Sequence, residues 1–175
     1  MVRFNKQKIG LFGGSFDPPH RGHLKISKIA IDKLSLDELY WCVTKKNPFK
    51  TKTFFSLSNR IKKSKILTSK IKKIKVKYFE NKIQSNSSID LIKYLYKKNK
   101  NNEFFFIIGS DNLINFHKWK NWKLLTKLIK IVVFSRKDSD MKAKKSVIIK
   151  KVKKIIFIKN KPINISSTQI RKKLA

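Results

Sequence analysis

The chain has 175 residues, 44 of them Lys or Arg against 10 Asp or Glu, for a formal net charge of +34 and a mean hydropathy of −0.40. That length suits a single domain, 1–175, burying roughly 70% of its unfolded surface; the lone Cys42 excludes an internal disulfide, and no apolar run reaches the length of a membrane span or forms a secretion signal. Such basicity would suit a nucleic-acid partner, but the lysines run through nearly every segment beside abundant Ile and Asn, the mark of AT-rich coding drift and not of a selected stripe. A soluble, cytoplasmic protein with no membrane partner and no specific nucleic-acid partner is therefore expected, with monomer and homo-oligomer equally open.

The first strand is expected at 8–12, Lys8-Ile-Gly-Leu-Phe12. It runs into Gly13-Gly14-Ser15-Phe16-Asp17-Pro18-Pro19-His20-Arg21-Gly22-His23, after which Leu24, Ile26, Ile29, Ala30 and Leu34 predict a helix over 21–34. Strand, tight glycine turn and helix, in that order, mark the place where open α/β sheets bind phosphates. Gly13 and Gly14 let the backbone approach a ligand closely, with N–H groups of the segment through Ser15 and Phe16 free to meet anionic oxygens. Pro18-Pro19 stiffens the turn, and Asp17 suits a turn-capping role better than that of a base. His20 and His23 stand three apart at the helix start, beside the positive end of its dipole. Metal ligation by this pair lacks partners, since only His117 and Cys42 add an imidazole or a thiol. Neither the dinucleotide fingerprint nor the P-loop pattern occurs.

A second strand follows at 38–43, with Cys42 buried in it, and then an aperiodic surface loop at 44–56. A helix is predicted at 57–70, a strand at 74–79 and a helix at 88–98. The lysine-dense segments 62–77 and 142–154 read as solvated faces. Phe104-Phe-Phe-Ile-Ile108 is apolar without alternation, as expected of a central strand covered on both sides. Gly109-Ser110-Asp111 at its carboxyl end suits ribose recognition, because a carboxylate accepts hydrogen bonds from sugar hydroxyls. Trp119 and Trp122, three apart, could face one side of a helix predicted at 120–127. Strands at 129–134 and 154–158 flank a helix at 139–150. Near the end, Asn164-Ile165-Ser166-Ser167-Thr168-Gln169-Ile170-Arg171 offers three N-cap hydroxyls with an arginine one turn on, a second anion site. The alternation as a whole predicts a Rossmann-like, doubly wound parallel sheet with helices on both faces.

The segment G-G-S-F-D-P-x-H-x-G-H resembles the signature of nucleotidyltransferases that move an adenylyl or cytidylyl group from a nucleoside triphosphate; its H-x-G-H part is shared with class I aminoacyl-tRNA synthetases. I-S-S-T-x-I-R over 165–171, and G-x-D followed by Trp119, resemble further signatures of bacterial nicotinate-nucleotide adenylyltransferases. The resemblance extends from about residue 8 to residue 174. It is looser at Val43–Lys50, at Ser87-Ser88-Ile89-Asp90, where Ser88 takes a threonine's place, and at Ser135-Arg136-Lys137, which lacks the family's proline. It implies transfer of the adenylyl group of ATP to nicotinate mononucleotide, giving deamido-NAD and pyrophosphate in NAD biosynthesis. The acceptor's phosphate attacks in line, without a covalent enzyme intermediate.

By the same resemblance His20, His23 and Arg171 are the catalytic candidates. Gly13, Gly14, Ser15, Phe16, Gly109, Asp111, Ser166, Ser167 and Thr168 are expected at ATP, and Lys50, Ser88, Trp119 and Arg136 at the nicotinate nucleotide. Mg²⁺ is expected to be bound through the ATP phosphates, without a protein ligand. Nicotinamide mononucleotide and phosphopantetheine are rival acceptors for the same chemistry, with Ser88 the residue that bears on acid against amide. A basic nucleic-acid module is the rival of another class; the chain lacks the K-M-S-K-S loop of synthetases and the aromatic–basic platform of single-strand binders. An inactive relic is a third, opposed by the intact 13–23 and 166–171 segments. The chain stops at Ala175, where family members usually continue, so a short last helix is expected.

Overall fold

The computed structural model describes residues 6–45, 53–136, 139–152, 155–161 and 165–174. Strands β1 (Lys8–Gly14), β2 (Glu38–Val43), β3 (Ile74–Lys77), β4 (Glu103–Gly109), β5 (Lys130–Phe134) and β6 (Ile155–Ile158) make one sheet in the order β3-β2-β1-β4-β5-β6. Every neighbouring pair is parallel. Between them run α1 (Arg21–Leu34), α2 (Leu57–Thr68), α3 (Glu80–Ile83), α4 (Ser88–Lys98), α5 (Ser110–Ile114), a 3₁₀ turn (Phe116–Lys118), α6 (Trp122–Leu128), α7 (Asp140–Lys144), α8 (Val147–Lys151) and the last helix α9 (Ser167–Leu174). This is the doubly wound α/β architecture that the alternation predicts. Its order reverses between β1 and β4, which opens a crevice at their carboxyl ends.

β4 shows why its sequence lacks alternation. Phe104, Phe106 and Ile108 enter one core with Ile9, Leu11 and the α4 residues Ile89, Ile92 and Leu95. Phe105 and Ile107 enter the opposite core with Leu39, Trp41 and the α1 residues Ile26, Ala30 and Ile31. A strand covered on both faces has no solvent side on which a polar residue would sit. Gly10 of β1 is a close-approach glycine: a Cβ there would lie 2.7 Å from Cδ1 of Leu36.

Helices at 21–34 and 88–98 form with the expected bounds. Elsewhere local chemistry intervenes. β1 runs two residues further than expected, through Gly13 and Gly14, whereas β3 stops at Lys77 and α3 follows it. The single helix expected over 139–150 is two, broken at Lys145 and Ser146; Ser146 is buried in extended backbone as the N-cap of α8, although its hydroxyl makes no capping bond. α6 starts only at Trp122, after Asn121 in a left-handed conformation (φ 50°), so Trp119 and Trp122 do not share a helix face. No helix among the described residues is long and apolar enough to cross a membrane.

Candidate functional site

Gly13 and Gly14 are the last residues of β1, paired with Cys42 and Val43 of β2, and so lie in a strand and not in a turn. The turn follows at Ser15–Pro19. Its left-handed residue is Phe16 (φ 46°), and no described glycine has a positive φ. A phenylalanine in that conformation is strained by about 1 kcal/mol or more. It is held by burial: its ring stacks on Trp41 at 4.6 Å and 7°, and meets Phe12 edge-on at 5.7 Å. Trp41 is fixed in turn, its Nε1–H donating to Ser27 Oγ at 2.8 Å. A Cβ added to Gly13 would meet nothing within 4 Å, so its bare face looks into the open crevice, where a ligand can come close.

His20 is the N-cap of α1. Its Nδ1 accepts from the Gly22 N–H at 3.1 Å, and its own N–H donates to His23 Nδ1 at 3.2 Å. Two imidazoles thus do the reciprocal work of a capping box. Because each Nδ1 is an acceptor, the neutral rings carry their protons on Nε2. The rings are 3.8 Å apart between centroids. Burial, reinforced by the charge of Arg136, pushes the pKa of His20 down to about 4. At neutral pH it is an uncharged hydrogen-bond donor.

The Ser166–Arg171 segment, expected from sequence to be a second anion site, docks on this turn from the far end of the chain. Ser166 and Gln169 form a capping box at the start of α9, the Ser166 N–H donating to Gln169 Oε1 (2.8 Å) and the Gln169 N–H to Ser166 Oγ (3.2 Å). The Ser167 hydroxyl donates to the Pro18 carbonyl at 2.9 Å. Arg171 donates to the Asp17 carbonyl at 2.6 Å and to Thr168 Oγ1 at 3.0 Å. At the end of β4, Asp111 forms an ion pair with Arg136 at 3.0 Å, and the Arg136 N–H donates to Ser110 Oγ and Asp140 Oδ1. A Cβ on Gly109 would collide with the Asp111 carboxylate and lie 2.9 Å from Arg136 Nε, so this glycine is required by that pair. Arg136, expected at the acceptor nucleotide, is thereby joined to a residue expected at ATP.

Beside the turn, Gly13, Cys42, Thr44, Glu80, Ser88 and Phe106 are among the residues lining a cleft of about 50 Å³. Burial pushes the Glu80 carboxyl up, and burial also pushes the Cys42 thiol up to about 12, so Cys42 stays protonated. Thr44 Oγ1 is buried without a hydrogen-bond partner among the described residues. Trp119 is not in this lining; it stacks on Phe116 at 4.8 Å and meets Phe106 edge-on at 5.9 Å. Lys50 lies outside the described residues.

Sequence reading passed over Arg60, which lies inside the helix predicted at 57–70. It is 1% exposed on α2, and its guanidinium donates to the carbonyls of Ser15, Thr44, Lys45 and Phe55. One signal was present: it is a lone arginine among lysines, spaced i, i+4, i+8 with Ser64 and Thr68, which are also buried.

The cytidylyltransferase-like family model matches residues 11–173. A Pelagibacter ubique protein named "probable nicotinate-nucleotide adenylyltransferase" is 50% identical over 169 residues, 95% of this chain and 93% of its own length. One of the same name from Agrobacterium fabrum is 38% identical over 134 residues, covering 76% of this chain and 71% of the relative. Among solved structures, Plasmodium falciparum nicotinic acid mononucleotide adenylyltransferase complexed with NaAD superposes with a TM-score of 0.75 at 24% identity, over 95% of this chain and 83% of that one, which shows the shared fold.

Proposed function

The chain belongs to the cytidylyltransferase-like family and, within it, to the nicotinate-nucleotide adenylyltransferases, and from this we propose that it transfers the adenylyl group of ATP to nicotinate mononucleotide, releasing pyrophosphate and forming deamido-NAD. The observation that carries the reading within this chain is the junction of two anion-binding segments. Ser167 and Arg171 bond to the carbonyls of Pro18 and Asp17, some 150 residues away, at the sheet's switch point.

The attacking phosphate is already anionic and needs no base, so the protein's work is positioning and charge stabilisation. In this reading the Nε2–H groups of His20 and His23 and the guanidinium of Arg171 donate to the phosphate oxygens, with Ser166 and Thr168 nearby. Asp111 receives a ribose hydroxyl, Ser88 and the cleft hold the pyridine nucleotide, and Trp119 supports the cleft wall through Phe106. Both carboxylate oxygens of Asp17 already accept, from the Phe54 and Phe55 N–H groups at 2.8 Å each. Among the described residues no three His, Cys, Asp or Glu side chains cluster. This donor set fits Mg²⁺ held by phosphate oxygens and water, where it would neutralise charge on the triphosphate.

The test is pyrophosphate release from ATP and Mg²⁺ with nicotinate mononucleotide, nicotinamide mononucleotide or phosphopantetheine, products being separated by chromatography. Release much faster with the nicotinate nucleotide is expected, and His23→Ala or Arg171→Ala should lower turnover on the order of 10²–10³-fold. Faster release with another acceptor would overturn the substrate. Wild-type turnover in both variants would overturn the residue roles.

A further inference from the structure

Arg60 makes an arrangement that the reaction as described does not use. Its guanidinium is buried, and although Asp17 and Glu80 are near enough to act on its charge, no carboxylate among the described residues lies within ion-pair distance of it. It donates instead to four main-chain carbonyls: Ser15 at 2.6 Å in the turn after β1, Thr44 and Lys45 at 2.8 Å each after β2, and Phe55 at 3.1 Å before α2.

In a trans peptide the C=O and N–H point in opposite directions. Drawing the Ser15 carbonyl onto Arg60 therefore turns the Phe16 N–H away from α2, at the one strained residue of the turn. The Thr44–Lys45 peptide is gripped at both ends, its carbonyl by Arg60 and its N–H by Glu80 Oε2 at 3.1 Å. Thr44 and Glu80 both line the cleft. One planar cation thus fixes the turn on the triphosphate side and the wall on the acceptor side.

The composition points the same way. Of the 44 basic residues only five are arginine: Arg3, Arg21, Arg60, Arg136 and Arg171. In a chain so rich in lysine, three of these five stand at the crevice. A lysine ammonium, with three donors on one atom, cannot span four carbonyls as a guanidinium fork does.

We propose that Arg60 is a positioning residue for adenylyl transfer, aligning the turn after β1 with the loop after β2 and so setting the distance between the two bound nucleotides. The proposal rests on the reaction assigned above.

The experiment compares wild type, Arg60→Lys, Arg60→Gln and an Ile61→Ala control, which trims a partly buried α2 side chain packed against the core. Melting temperature, kcat and KM for each substrate are measured. A change in spacing of about 1 Å typically costs about 10²-fold in rate. The Arg60 variants should therefore lose about 10²-fold in kcat while each KM changes less than about tenfold, and the control should lose melting temperature but keep kcat. Folded Arg60 variants within about threefold of wild-type kcat would overturn the proposal. So would failure of both to fold, which would make Arg60 a purely structural residue. A wild type that forms no deamido-NAD would instead overturn the assigned reaction and this proposal together.

Discussion

His20 shows how a single residue's chemistry is set by its backbone position. As the N-cap of α1 it spends Nδ1 on the Gly22 N–H, which leaves Nε2–H as its outward group. Burial then disfavours the imidazolium, with Arg136 adding to the effect. Nitrogen-15 NMR should show the Nε2–H tautomer for His20 at pH 7 and a titration midpoint near 4; a midpoint near 6.5 would refute its burial. The linkage has a definite sign. The folded pKa of about 4 lies below the ordinary 6.5, so the unfolded chain binds more protons in that window and stability rises with pH across it. Urea midpoints should therefore fall as pH drops from 6.5 towards 4, and fall less steeply in His20→Gln. At the same scale Phe16 departs from expectation: glycines adjoin the turn, but a phenylalanine takes the left-handed conformation. Its strain is offset by stacking on Trp41, which is 25 residues further along.

Among the elements, capping separates serines that look alike in sequence. Ser56 and Ser87 both precede helices, yet Ser56 Oγ accepts from the Asn59 N–H at 3.3 Å, whereas the Ser87 side chain makes no capping bond. Ser56→Ala should cost about 1 kcal/mol and Ser87→Ala far less, as read from chemical denaturation; equal losses would contradict the geometry. The bounds of α1 and α4 were legible from apolar periodicity, Ile26, Ala30 and Ile31 in one and Ile89, Ile92 and Leu95 in the other being buried at helical spacing. The helix expected over 139–150 fails because its lysines keep a helical composition across a point where Ser146 restarts the chain. Trp119 illustrates the limit of spacing arguments: left-handed Asn121 intervenes before α6, and the indole turns onto Phe116 and Phe106 instead of the cleft lining.

At the scale of the whole molecule, charge is dominated by repulsion. The four ion pairs among the described residues each use at least one well-exposed partner, and such pairs stabilise little. A net charge of +34 is thus only weakly offset. Raising NaCl from about 10 to about 100 mM shortens the screening length from roughly 30 to roughly 10 Å, so the melting temperature should rise; a fall would show that ion pairs outweigh the repulsion. The sheet itself was largely readable, since strand and helix periods are properties of neighbouring residues, and the runs at Ile9–Phe12 and Phe104–Ile108 have no other use. So were the turn before α1 and the start of α9, whose caps bond within one turn of where they stand. Sequence by itself therefore determined the parallel α/β class, the glycine-to-histidine turn between β1 and α1, and the capped start of the helix that carries Arg171. Only the tertiary structure decided that Arg171 and Ser167 close on Asp17 and Pro18, that Asp111 pairs with Arg136, and that Arg60 leaves the surface to gather four carbonyls. The physical reason is reach. A long cationic side chain has no partner fixed by its own segment, and its acceptors become known only when the order β3-β2-β1-β4-β5-β6 brings distant loops to one end of the sheet.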